Sequence, residues 1–302
     1  MKDLIAIDSI SQIHKLFGLA PPTHPLISIV DLSQIQVRNP LVNKRLAIGL
    51  YSLTLKTKFA APFLYGREYF DFDSGTLFAC APGQVIMSEM EYQAGDIEGW
   101  ALYIHPDFLL GTSLADSLIQ YGFFDYDIKE ALHVSDTEKQ TLFTVVSQLG
   151  EELGKNIDEF SHPILIASIA LLMTHVDRFF HRQFITRKPA NRQIVEQVRA
   201  ALEAYYAKPA ADISGLPTVN EIANQVFLSP KYMSDLLKNE TGYGAQDTIH
   251  HYILNLAKHR LLQSQDSVTQ VGLSLGFEYS QYFSRMFKKH VGLTPSEFRK
   301  RH

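Results

Sequence analysis

In the N-terminal third of the chain the apolar positions come in short alternating runs, and beyond it they come at the three-and-four spacing of helices. Candidate strands are Leu26–Leu32, Arg45–Thr57, Phe63–Phe72, Thr76–Cys80, Gln84–Met90 and Gly99–His105. They are rich in β-branched and aromatic residues and are broken at Pro62, Gly66, Gly75, Pro82-Gly83 and Gly95. Short strands at such spacing predict a small antiparallel barrel or sandwich. From about residue 106 the period changes. Leu142, Val145, Val146, Leu149 and Leu153 share one face of a helix starting near Asp136, and Leu165, Ile169, Leu172, Met173, Val176 and Phe179 form the stripe of another. The second helix is apolar almost all round at its start, which predicts deep burial or a subunit contact. The polar stretch Gln183–Arg192, with Lys188-Pro189 inside it, reads as a linker. Everything after it reads as helices joined by tight turns.

Within that helical part the chain repeats itself. Val219, Ile222, Ala223 and Val226 match Val268, Val271, Gly272 and Leu275 at an offset of 49, and Tyr232, Met233, Ser234, Leu236, Leu237 and Gly242 match Tyr282, Phe283, Ser284, Met286, Phe287 and Gly292 at an offset of 50. Each copy reads as helix, turn, helix. Thr218 with Glu221, and Ser267 with Gln270, are capping-box starts. Ser229-Pro230 is an N-cap followed by proline at the first helical position, and Gly242 and Gly292 close the second helices. Between the copies Ala245–Leu262 forms one helix with Ile249, Tyr252, Ile253, Leu256 and Leu261 on its buried side. At 1.5 Å per residue it spans roughly 27 Å, enough to hold two helices about one DNA turn, ~34 Å, apart. A last helix begins with the capping box Thr294-Pro295-Ser296-Glu297.

Two such copies with this spacer and this ending resemble the AraC/XylS family of transcription regulators, over about residues 192–302 and most densely over 268–299. The resemblance implies an α+β protein of two domains. Residues 1–185 would be a cupin-like antiparallel β-barrel with packed dimerisation helices, and residues 186–302 an all-α domain of seven helices that binds double-stranded DNA. It also implies that the second helix of each copy enters the major groove. Carried onto this chain, the family's contacts fall on Lys231, Ser234 and Asp235 in the first copy and on Ser280, Gln281 and Arg285 in the second. Arg285 and Gln281 are suited by their own chemistry to guanine and adenine edges, and Lys288 and Lys289 to phosphates or to a solvated helix end. Asp235 departs from the family, which has a basic residue there. The segments 75–85 and 99–109 resemble the family's sensor domain more faintly. They imply an effector in the barrel and a homodimer formed by the helices at 136–154 and 163–182; the family resemblance as a whole is compatible with an activator, for which RNA polymerase would be a further partner, and equally with a repressor.

Charge supports the division. Residues 190–302 hold 13 Lys and Arg against 10 Asp and Glu, while residues 1–189 hold 15 against 22. A basic C-terminal part on an acidic chain suits a polyanion partner for that part alone. The single cysteine, Cys80, excludes an internal disulfide and a cysteine-based zinc cluster. The N-terminus lacks a signal-peptide pattern, and the most apolar run, Pro163–Met173, is short of the ~20 residues of a membrane span, so a cytoplasmic protein off the membrane is expected. No His-x-His, phosphate loop or nucleophile elbow occurs, and His24 and His105 are the only histidines of the barrel region. No enzyme, metal or cofactor is expected. A subset of the barrel aromatics, Tyr65, Tyr69, Trp100 and Tyr103, with Arg67 or His105 as polar anchors, would line the effector pocket. Two other readings stand beside this one: a regulator with no small-molecule ligand that answers to a protein partner, and a barrel enzyme tethered to DNA.

Overall fold

A computed structural model describes residues 4–35, 44–59, 64–65, 68–69, 75–88, 97–127, 130–186, 188–209, 213 and 215–301. The chain divides into two units, residues 1–183 and 184–302. In the first, the order is β1 (Leu4–Ile7), α1 (Ile10–Leu16), β2 (Ile27–Asp31), β3 (Lys44–Ile48), β4 (Tyr51–Phe59), β5 (Leu64–Tyr65), β6 (Glu68–Tyr69), β7 (Thr76–Cys80), β8 (Gln84–Ser88), β9 (Ile97–Ile104), α2 (Ser113–Gln120), β10 (Leu132–His133), α3 (Asp136–Leu153) and α4 (Ser161–Thr186).

The strands pair as three ladders, β10-β7-β4-β9-β2, β1-β3-β8 and β5-β6. Two expectations change. Among the described residues the ladders do not close on one another, and β1 runs parallel to β3. The run 45–57 is two strands instead of one. The chain turns at Gly49, whose N–H donates to the Ile7 carbonyl at 2.8 Å and whose missing Cβ leaves room for the Asp8 carboxylate.

Side-chain alternation gives the five-stranded sheet two different faces. Ser52, Thr54 and Lys56 of β4 share a face with Ala101 and Tyr103 of β9, and Leu53 and Leu55 share the other with Trp100 and Leu102. Val30, Ala101 and Tyr103 pack with Leu46 and Ile48 of the three-stranded sheet and with Ile10 and Ile13 of α1, so theirs is the inner face between sheets. The outer face meets helix, since Ile29 Cδ1 lies 3.9 Å from where a Cβ on Gly150 of α3 would stand.

Ser135 and Glu138 form the capping box of α3, and Arg182 of α4 grips that same Glu138 with Nε at 3.0 Å and a terminal nitrogen at 2.7 Å. Leu142, Val145, Val146 and Leu149 are buried, as are Leu165, Ile169, Leu172, Met173, Val176 and Phe179. These stripes, expected at a subunit contact, are therefore covered within the chain, and the large apolar side chains that α3 and α4 leave exposed are Phe143, Ile164, Leu171 and, at the end of α4, Ile185. By length and composition alone α4 passes as a membrane span, which the short run 163–173 did not foretell. Its buried stripe is that of a core helix.

The expected linker is helical. Residues 183–186 end α4, and Lys188 starts α5 (Lys188–Tyr206), with Pro189 in the first turn, where a missing N–H breaks no helical bond. There follow α6 (Val219–Gln225), α7 (Pro230–Thr241), α8 (Ala245–Gln263), α9 (Val268–Ser274), α10 (Ser280–Val291) and α11 (Pro295–Arg301). One core serves them all. Ile222, Ala223, Met233 and Leu237 of the first copy and Val271, Phe283 and Phe287 of the second pack on Ile249, Ile253, Ala257 and Leu261 of α8. Polar ties fix the second copy further: Tyr206 donates to the Leu275 carbonyl at 3.2 Å, Arg260 to the Ser274 carbonyl at 2.9 Å, and Arg299 to the Leu261 carbonyl at 2.8 Å.

Candidate nucleic-acid interface

Both copies begin with the caps their sequences promise. The Thr218 hydroxyl accepts from the Glu221 N–H at 3.2 Å while the Glu221 carboxylate accepts from the Thr218 N–H at 2.8 Å, and Ser267 with Gln270 does the same at 3.2 and 2.7 Å. The N–H and hydroxyl of Thr218 hold the Glu221 carboxyl below its usual pKa, and those of Thr294 do so for Glu297. At the other end Gly242 and Gly292 both take φ of 82°, a left-handed conformation that favours glycine. The inner contact of the second copy is close as well, since a Cβ on Gly272 would press on the Phe283 side chain at 3.1 Å.

The second helices, α7 and α10, present different groups. In α7, Lys231 Nζ lies 3.1 Å from Asp235 Oδ1, an i,i+4 pair on one face. This accounts for the acid at a position where the resemblance calls for a base, since its charge is balanced on its own helix. Ser234 accepts the Ala245 N–H at 3.1 Å, so its oxygen serves as the cap that Gly244 lacks at the start of α8. In α10, Gln281, Lys288 and Lys289 are exposed and, among the described residues, make no hydrogen bond or ion pair. Arg285, also exposed, holds its guanidinium carbon 5.8 Å from the Tyr282 ring centroid, and Ser280 is partly buried at the first turn. Thus the structure brings Gln281, Arg285, Lys288 and Lys289 onto one helix as exposed polar ends, with Ser280 at its start.

Two residues escaped the sequence reading. Tyr279, 55% exposed, occupies the N-cap of α10 without a side-chain cap, and Tyr282 is 58% exposed. Their rings meet edge to face with centroids 5.8 Å apart. The signal was present in the repeat: Tyr279 stands where the first copy has the capping Ser229, which receives the Tyr232 N–H at 3.2 Å. Behind the helices His250 sits 5.9 Å from His290, ring to ring, and burial, then His290, lowers its pKa.

Two of the expected effector residues do not gather. Trp100 and Tyr103 are both buried but lie on opposite faces of β9, an odd number of residues apart, and so cannot line one pocket. His105 caps the short turn after β9, accepting the Asp107 N–H at 3.2 Å. Tyr65 and Tyr69 lie in the β5-β6 hairpin, and Arg67 falls outside the described residues. Cys80 is buried in β7, where burial pushes its thiol up to about 11.

Comparison with known proteins bears on the C-terminal unit first. The family model described as "Helix-turn-helix domain" matches residues 222–301. The arabinose operon regulatory protein of Salmonella typhimurium is 25% identical over 237 residues, 75% of this chain and 78% of that one. The HTH-type transcriptional activator RhaS of Klebsiella pneumoniae is 26% identical over 202 residues, 66% of this chain and 67% of its own length. Among solved structures, an AraC-type DNA-binding domain protein from Chromobacterium violaceum aligns at 27% identity over 34% of this chain and 91% of that one, with a TM-score of 0.29.

Proposed function

Starting from a C-terminal unit whose residues 222–301 match a helix-turn-helix domain, we propose that the protein is a sequence-specific DNA-binding transcription regulator of the AraC type. The observation that carries this is the pair of like-capped copies on one shared α8, with α10 exposing Gln281, Lys288 and Lys289, which make no hydrogen bond or ion pair among the described residues, and Arg285 against the Tyr282 ring. Arg285 and Gln281 read base edges, and Lys288 and Lys289 meet phosphates. Lys231, Ser234, Asp235 and Ser280 complete the surface as positioning contacts. The similarity to regulators extends beyond the domain to three quarters of the chain, which supports a sensor in the N-terminal unit. In this reading that unit is cupin-like, a small effector between its sheets shifts the balance of subunit arrangements, and two copies meet through Phe143, Ile164 and Leu171 of α3 and α4. The protein works in the cytoplasm, and as an activator it reaches RNA polymerase from its operator.

The test is selection of duplexes from a random library by the full chain, followed by salt titration of the best sequence. A motif of two half-sites about one turn apart is the expected result. Salt-sensitive binding to every sequence alike, with no motif, would overturn sequence-specific regulation.

A further inference from the structure

A groove of about 910 Å³ in the C-terminal unit is lined by α5, α8 and Phe298 of α11, and the DNA interface employs none of it. Its floor is apolar and fixed by the core. Val198 and Leu202 of α5 and Phe298 are buried, Leu256 of α8 is partly so, and Phe298 meets Phe287 of α10 edge to face with ring centroids 5.5 Å apart. The charges around this floor do not balance. From α5, Arg199 Nε donates to Glu203 Oε1 at 3.0 Å, so those two charges answer each other. From α8, Lys258 is partly buried and His259 exposed, and neither makes a hydrogen bond or ion pair among the described residues. Tyr252 of α8 is partly buried, stacks on Tyr206 with centroids 6.0 Å apart, and makes no hydrogen bond among the described residues. Burial first, then Glu203, holds its hydroxyl above the usual pKa, so it remains a donor.

The geometry points to a binding site for a large apolar organic anion, its body on the groove floor and its charged group at Lys258. The site belongs to the DNA-binding unit itself, and so goes beyond the effector assigned to the N-terminal unit. Size sets the first part of the class. A mainly apolar groove of this volume suits a ligand of drug-like size, and a small ion would leave the floor wet. Charge sets the second part. A neutral ligand covering Lys258 would strip water from the ammonium and return nothing, whereas an anion replaces that water with a charge-assisted hydrogen bond. A cation is disfavoured on the same ground, because Glu203, the acid of the lining, already has Arg199. The Tyr252 hydroxyl adds a neutral donor that orients the ligand without deciding its charge.

The experiment is fluorescence titration of the full chain with anilinonaphthalene sulfonate and with phenylnaphthylamine, two probes that share their rings and differ by the sulfonate. The sulfonate is expected to bind saturably and about tenfold or more tighter than the neutral amine. Lys258→Met is expected to abolish that preference, leaving both probes near the affinity of the amine. Tyr252→Phe, which keeps the ring and removes the hydroxyl, is expected to cost the sulfonate roughly threefold. Val195→Glu sets an acid on the groove wall and is expected to weaken the sulfonate by about tenfold or more; it serves as the second variant should Lys258→Met fail to fold. Equal binding of the two probes, a Lys258→Met or a folded Val195→Glu variant that keeps the preference, or no saturable binding of the sulfonate at sub-millimolar concentration would each overturn the assignment. The probes are titrated without DNA, so the groove and the regulator stand or fall separately, the second by the duplex selection alone.

Discussion

In the first helix-turn-helix copy, Lys231 is tied to Asp235, Ser234 to the start of α8, and Tyr232 is buried against Phe184 with ring centroids 5.2 Å apart. In the second copy, the matching Tyr282 and Arg285 stand exposed against each other, and Gln281, Lys288 and Lys289 lie open beside them. The charge differs in the same sense. Helix α7 sets Lys231 and Lys238 against Asp235 and Glu240, whereas α10 carries Arg285, Lys288 and Lys289 with no acid. One scaffold has therefore been fitted with two unlike faces, a nearly neutral one that positions and a cationic one that grips. A repeat in sequence is a statement about packing, and the residues that pack are the ones that repeat.

The turns diverge as well, and here the largest effect is expected. At matched positions the first copy places Phe227 at φ 59° and the second Gly276 at φ 91°. Phe227 is 79% exposed, so its turn tolerates a side chain at the cost of left-handed strain. Gly276 has no such freedom. A Cβ there would collide with the carbonyl oxygen of Gly215, which also accepts the Tyr205 hydroxyl at 2.9 Å. Gly276→Ala should lower stability in urea by about 3 kcal/mol or more, through backbone strain and the displaced Gly215 together. Phe227→Ala should change it by less than about 1 kcal/mol. Comparable losses at both turns would erase the distinction.

Next in size is the reading of bases. Arg285→Ala should weaken binding to the selected operator by about 1–3 kcal/mol and relax the preference at one base pair. Lys231→Ala should cost well under 1 kcal/mol, because an exposed partner of a carboxylate on its own helix has little charge left to give. Equal losses in matched salt would mean that both copies grip alike. Asp235→Asn sharpens the same point from the other side. With its partner neutralised, Lys231 becomes available to phosphate, and the slope of log affinity against log salt should steepen by up to ~0.9, as for one added contact. An unchanged slope would place Lys231 away from the DNA backbone.

How much of this was legible depends on what decides each feature. The caps were read residue by residue, because Thr218-Glu221, Ser267-Gln270 and Thr294-Glu297 settle their bonds within four positions. The parallel pairing of β1 with β3 was not, since it joins Leu4 to Arg45 across an intervening helix and strand that no local signal links. The linker misled for a related reason. Polar residues around Lys188-Pro189 describe a loop and the first turn of a helix equally well, and proline is at home in either. Grouping Trp100 with Tyr103 in one effector pocket failed on a point the sequence did contain. Trp100 and Tyr103 differ by three, and an odd separation on a strand puts them on opposite faces, whereas Lys56 and Thr54 share theirs. Aromatic content pointed to Trp100 and Tyr103, which fill the core on either side of β9.

The smallest of the expected effects concerns the N-cap where the copies part company. Ser229 caps α7, and Tyr279 leaves α10 without a side-chain cap while exposing its ring beside Tyr282. Changing Tyr279→Ser would give α10 the cap its twin has, worth about 0.5–1 kcal/mol of stability by thermal or urea unfolding. If the position has kept an aromatic ring for contact with DNA, the same change should lower operator affinity by a few-fold, so that stability and binding move in opposite directions. A variant that gains stability and binds as well as the wild type would show the ring to be idle, and the cationic side chains of α10 would then account for the grip of the second copy unaided.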